Sequence, residues 1–216
     1  MQLVPENTSV VIAGVWNPAI LNPTWILRHV LELPEGTVEQ IQIEQPFIPS
    51  GVPPSYSIAG LTFTPGRNQL VIRPLETSVD TMVRVQNIAI RILTLLSHTP
   101  LSAFGQNFEF LELTPLAEQL MIFGAANDLA QHCDFQFDTL STQVSSSIQF
   151  DDRQLNLSRS NTNGILSLKF NFHYPVASAE IALQKFQNPI FQQNLEYTLR
   201  IIRSLYGIEP NLQSNP

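Results

Sequence analysis

The stretch Leu166 to Tyr174 constrains this chain more than any other. Leu166, Leu168, Phe170, Phe172 and Tyr174 fall on one side of an extended backbone; Ser167, Lys169, Asn171 and His173 fall on the other. Side chains along a strand alternate with a period of two, so this pattern predicts an antiparallel sheet with one covered and one wet face. Asn161-Thr162-Asn163-Gly164 supplies the turn that leads into it. Ser147 to Phe150 and Gln154 to Ser158 read as strands around an Asp151-Asp152 turn. Cys133, Phe135 and Phe137, alternating with Asp134, Gln136 and Asp138, read as a further strand.

The N-terminal part carries similar signals. Ser9 to Val15 is a β-branched run that reads as a buried strand. Asn22 and Pro23 are suited to the cap and first position of a short helix reaching about Leu31. Val38 to Gln45 alternates as a strand, and Pro46 to Ser55, with four prolines, reads as a loop. Ile58 to Thr64 and Asn68 to Arg73 form a hairpin around Pro65-Gly66-Arg67-Asn68. A long helix is expected from about Ser78 to Ser97. Its polar residues Asp80, Arg84, Asn87, Arg91 and Thr94 draw one narrow stripe, so the remaining surface needs cover on more than one side. Sheet plus other helices, or sheet plus a second subunit, would supply that cover.

Thr99-Pro100 ends this helix, and Leu101 to Leu113 reads as a strand carrying Phe104, Phe108 and Phe110. A helix follows from Leu116 to about His132. Helical segments close the chain, the first capped by Ser178 and the second restarted by Asn188-Pro189. The second has Phe191, Leu195, Leu199, Ile202 and Leu205 as its apolar stripe and Gly207 as its terminator. The expected class is α+β, with antiparallel sheet covered on one face by long helices. Hairpin plus long helix occurs twice, at 58–97 and 147–206. This suits one domain over 1–207, with halves 1–100 and 101–207, and a frayed polar tail at 208–216.

Composition narrows the function classes. A chain of 216 residues, 44% hydrophobic and 13% charged, can bury a large core without metal or disulfide staples and lacks the signature of disorder. The net charge of −7, with 11 Lys and Arg spread along the chain, disfavours nucleic acid and anionic membrane as partners. Cys133 is the only cysteine, so no intrachain disulfide can form. The start resembles no signal peptide and no apolar run approaches a membrane span, so the cytoplasm is the expected compartment.

No Gly-rich phosphate loop, GxSxG elbow or zinc-type Cys/His spacing is present, so no catalytic residue, cofactor or metal is expected. His98, Asn107 and Cys133 supply the residue types of a thiol hydrolase, whose members need not be adjacent in sequence. Cys133, however, shares a strand face with Phe135 and Phe137 and reads as a buried, inert thiol. His98 sits where an imidazole caps a helix C-terminus. His29 and His173 read as surface residues. The carboxylate pairs Glu109 and Glu112, Asp134 and Asp138, and Asp151-Asp152 read as solvated or turn residues.

The segment Leu96-Ser97-His98-Thr99-Pro100-Leu101-Ser102-Ala103-Phe104-Gly105-Gln106-Asn107-Phe108 resembles one found in uncharacterised bacterial proteins of similar length. So does the early element Asn17 to Ile20 with Pro23 and Trp25. The resemblance implies a bacterial protein and no activity. Physically the first segment reads as a helix end, a Pro break and a strand entry with a permissive Gly105. Two functions are therefore expected. The first is a non-enzymatic interaction or assembly protein that self-associates, through the flank of helix 78–97, or binds another protein. The second is a small-molecule binding module with an apolar cavity, lined by the strand phenylalanines, between a curved sheet and the C-terminal helix.

Overall fold

A computed structural model describes residues 1–34, 40–44, 53–76, 78–123, 140–150 and 152–212. Ten strands form one antiparallel sheet: β1 (Gln2–Leu3), β2 (Ser9–Gly14), β3 (Gln42–Glu44), β4 (Ser55–Ile58), β5 (Leu61–Pro65), β6 (Gln69–Pro74), β7 (Leu101–Glu112), β8 (Ser141–Gln149), β9 (Gln154–Thr162) and β10 (Ile165–Pro175). The order across the sheet is β3-β4-β5-β6-β2-β7-β10-β9-β8, and β1 lies beside β2 on the same edge of β7. The helices are α1 (Pro23–Trp25, continuing in a wider π turn over Ile26–Val30), α2 (Val79–Leu95), α3 (Ala117–Phe123), α4 (Ala179–Lys185) and α5 (Ile190–Tyr206). The fold is mixed α+β, and none of the described helices is long and apolar enough to cross a membrane.

The alternation in β10 is realised residue by residue. Leu166, Leu168, Phe170, Phe172 and Tyr174 are all buried, in register with Glu112, Phe110, Phe108, Gln106 and Phe104 of β7. Aromatic pairs knit the two strands: Phe104 stacks on Tyr174 with centroids 4.6 Å apart, and Phe110 meets Phe170 edge-on at 6.3 Å. Phe104 also touches Phe186 and Phe191, and Phe172 touches Tyr197, linking the strands to the C-terminal helices. Of the phenylalanines expected to line a cavity, Phe104, Phe108, Phe110, Phe170 and Phe172 are at most 1% exposed and belong to one continuous core, while Phe135 and Phe137 lie outside the described residues.

Capping follows the sequence closely. Asn22 accepts from the Trp25 N–H at 3.0 Å with Pro23 at the first helical position; Ser78 caps α2 and Ser178 caps α4. Gly207 ends α5 at φ +61°. The polar stripe of α2 is at the surface, where Arg91 pairs with Glu32 and donates to the His29 carbonyl. The flanks of α2 meet α4, α5 and α1, so its cover comes from within the chain. Val83 and Leu95 of the same helix remain 38% exposed.

Several expectations are revised. Ala59-Gly60, with φ +49° and +77°, makes a tight turn that splits the predicted strand 58–64. Ser55 to Ile58 becomes a separate strand β4 rather than the end of a loop. In the α5 stripe Leu205 is 63% exposed while Tyr206 is buried; four residues on from Ile202 return to the buried side better than three. The residues after Gly207 are held: Ile208 is buried, Asn211 donates its N–H to the Met1 carbonyl, and Leu3 donates to the Asn211 carbonyl. Gly105 lies in mid-strand, where a Cβ would stand 2.9 Å from the Phe172 carbonyl oxygen. It is needed there for close approach, not for a turn. The strand predicted at 133–138, with Cys133, the later part of helix 116–132, residues 38, 39 and 45 of strand 38–45, Asp151 and residues 213–216 lie outside the described residues; of 40–44, only Gln42–Glu44 is strand.

Two polar residues in the core were not anticipated as structural. Gln106, fully buried on β7, accepts from Asn194 Nδ2 at 3.1 Å, and Asn194 Oδ1 accepts the Tyr174 hydroxyl proton at 2.9 Å. Gln86, on the buried side of α2, donates to the carbonyls of Phe186 and Asn188 and accepts from the Phe191 N–H. Pro189 leaves α5 without a side-chain cap, so Gln86 satisfies backbone groups at both the end of α4 and the start of α5.

Candidate functional site

Odd-numbered residues of β7 and β10 point away from the phenylalanines, and on this face the sheet carries a continuous polar row. Register places Ser9 of β2, Asn107 of β7, Asn171 of β10, Asn156 of β9 and Ser147 of β8 side by side across five strands. Ser147 Oγ donates to Asn156 Oδ1 at 2.7 Å, and Asn156 Nδ2 to Asn171 Oδ1 at 3.0 Å. Asn171 Nδ2 donates to Asn107 Oδ1 at 2.6 Å, and Asn107 Nδ2 to Ser9 Oγ at 3.0 Å. All four bonds run the same way, so their dipoles add and each strengthens the next. Arg73, one residue beyond the Val10–Ile72 pair, continues the row on β6.

A second row lies alongside. Glu109, Lys169, Ser158 and Ser145 are neighbours in register on β7, β10, β9 and β8. Glu109 is only 8% exposed, so it is not the solvated carboxylate expected from its position. Burying a carboxylate is costly unless it is paired and hydrogen-bonded. Here Asn7 Nδ2 donates at 2.7 Å, Ser167 Oγ at 2.8 Å, and the Lys169 ammonium stands 3.3 Å away. Asn7 comes from the 3₁₀ turn Pro5–Asn7, which separates β1 from β2 along the edge of β7 that both strands pair with.

Together these rows line a trough of about 520 Å³, walled by Asn7 and Arg73 at one end and by Ser145 to Ser147 of β8 at the other. Each asparagine amide carries two N–H donors and a two-lone-pair acceptor, and the ladder engages one N–H of each. The remaining donors of Asn107, Asn171 and Asn156, with the Arg73 guanidinium, face the trough without a partner among the described contacts. Arg73 also borders a wider, open cleft beside Trp16 and Tyr56. There the Tyr56 and Thr64 hydroxyls are buried without a hydrogen-bond partner, and burial raises the Tyr56 phenol well above its ordinary value.

Hydroxyls that line or border the trough are held by other polar groups. Ser9, Ser147 and Ser167 are bonded to Asn107, Asn156 and Glu109, and Ser145 to Ser158. None is hydrogen-bonded to a histidine or lysine among the described contacts, while Ser167 Oγ donates to the Glu109 carboxylate at 2.8 Å. His173 lies on this face opposite Gly105 and Gln154. His98 is exposed after α2 and caps nothing among the described contacts. Asn107 is committed to the ladder, six residues into β7 and on the order of 20 Å along the strand from its start near His98. The structure therefore does not bring His98 and Asn107 together, and Cys133 lies outside the described residues. Among the described residues no three His, Cys, Asp or Glu side chains gather as metal ligands.

No protein-family model and no curated protein matches this chain. The geometry alone carries its functional reading. In the sequence Asn107 stands as a member of a thiol site and of the segment 96–108, and Ser9, Asn156 and Ser147 carry no functional signal of their own. The usable signal was the wet-face position of Asn107 and Asn171 on strands rich in Phe; what was missing was the register that aligns them.

Proposed function

We propose that this is a non-enzymatic, cytoplasmic interaction protein that binds its partner through the polar trough, and that it also associates with itself. In this reading the long helices α2 and α5 close the apolar face of the sheet, and the opposite face is left for recognition. The ladder Ser9–Asn107–Asn171–Asn156–Ser147 carries the proposal. Its amides are pre-ordered by one another, so a ligand meeting the spare N–H groups would spend little entropy on fixing them. The trough favours a multidentate polar ligand or polar protein segment, since strand spacing sets its donors about 4.8 Å apart. The apolar-cavity alternative is less favoured, because the phenylalanines it requires are packed against each other.

Affinity purification of wild type and an Asn107→Ala/Asn171→Ala variant, with mass spectrometry of bound proteins and small molecules, tests this. A partner retained by the wild type and lost from the folded variant is expected. The same partners at the same yield on both would refute the trough as the binding surface.

A further inference from the structure

The polar trough ends at β8, the last described strand on this side of the sheet. All nine residues of β8 pair with β9, from Ser141 opposite Thr162 to Gln149 opposite Gln154, and no described strand lies on its other side. Its sequence, Ser-Thr-Gln-Val-Ser-Ser-Ser-Ile-Gln, contains no charge, no proline and no glycine. Edge strands are normally protected by Lys, Pro, a bulge or extreme shortness, because a bare edge offers a row of unpaired N–H and C=O groups to another chain. The opposite edge is protected: β3 has three residues and carries Glu44. Among the described residues β8 has none of these protections.

We propose that β8 pairs antiparallel with β8 of a second copy of this chain, joining two sheets into one. This rests on the self-association in the reading above and assigns it to one strand. Charge argues for a second copy as the occupant. Each chain carries a net charge of −7, so two copies repel at most surfaces, yet β8 meets its own image without placing any like charges opposite one another. A strand with no charge also offers nothing to select a partner of opposite sign.

A two-fold axis at the middle of β8 passes beside Ser145. It sets Gln143 opposite Ser147 of the other copy, and Val144 opposite Ser146. Gln143, Ser145 and Ser147 lie on the trough side, where Gln143 Nε2 already donates to Ser158 Oγ at 3.1 Å. The pairing therefore brings a partner glutamine to the end of the amide ladder and runs the two troughs together. On the other side, Thr142 meets Ile148, which is 41% exposed in the single chain. Strand addition of this type gains main-chain hydrogen bonds along its whole length.

Light scattering at micromolar concentration is expected to give twice 24.2 kDa for the wild type. Ser145→Lys, which puts two ammonium groups face to face on the axis, is expected to give 24.2 kDa with an unchanged circular dichroism spectrum. In a Cys133→Ser background, Ser145→Cys is expected to oxidise to a covalent dimer. Its Cα would face its own copy at roughly 4.5–5.5 Å, within disulfide reach. Ser141→Cys, near one end of the strand, is expected to stay monomeric on denaturing gels. A monomeric wild type overturns the inference, as does a dimer that survives Ser145→Lys and fails to cross-link at 145. A monomer that still loses its partner on Asn107→Ala/Asn171→Ala would refute β8 pairing and leave the trough reading standing.

Discussion

Replacing Gln86 by Leu tests how the C-terminal helices are held to α2. Leucine keeps most of the side-chain volume and removes the amide. Gln86 is 6% exposed and donates to the carbonyls of Phe186, at 3.1 Å, and Asn188, at 2.7 Å, while accepting from the Phe191 N–H at 3.1 Å. Without the amide, the Phe186 carbonyl and Phe191 N–H stay buried with no partner, whereas water can reach the half-buried Asn188 carbonyl. Two buried orphan groups cost about 2–6 kcal/mol together, the cost of each lying near 1–3 kcal/mol. For a chain of this length the melting temperature should fall by about 4–24 °C. Asn87→Leu is the control: Asn87 is exposed, and substitution there should stay within about 0.5 kcal/mol. Urea denaturation followed by circular dichroism gives both values. If Gln86→Leu also remained within that margin, the view that this side chain stands in for a missing helix cap would be wrong.

Two other substitutions probe the sheet. Gly105→Ala should destabilise the protein by about 1–3 kcal/mol, since its Cβ would meet a backbone carbonyl that cannot swing aside; denaturation at wild-type urea midpoint would contradict the close approach. Burial raises the Tyr174 phenol to about 12, partly opposed by Arg153 and the hydrogen bond to Asn194. A phenol held protonated by the fold contributes its full stabilisation below its unfolded pKa of about 10, and that contribution is lost as pH rises toward the folded value. Wild-type stability should therefore fall between pH 10 and about 12 more steeply than that of Tyr174→Phe. Parallel declines for the two proteins would show that the phenol is not held in this way.

The sequence by itself determined the local structure. Period-two alternation at 166–174, Asn22-Pro23, Ser78, Ser178, Asn163-Gly164 and Gly207 each act through a few adjacent bonds, and each appears in the structure where its chemistry required. β4 escaped because Ala59 supplied a positive φ that glycine or asparagine usually signals. Most of β8 escaped because Ser-Thr-Gln-rich residues have no apolar face to betray a strand. Only the tertiary structure decided the site. Asn107, Asn156 and Asn171 are ordinary wet-face residues until the register of β7, β9 and β10 aligns them, and a slip of one residue would scatter them across both faces. Glu109 reads as a solvated carboxylate, and Gln86 carries no signal, until the Pro5–Asn7 turn closes over the one and α4 and α5 over the other. Register and packing arise from contacts between residues tens of positions apart, so no local pattern along the chain encodes them one by one.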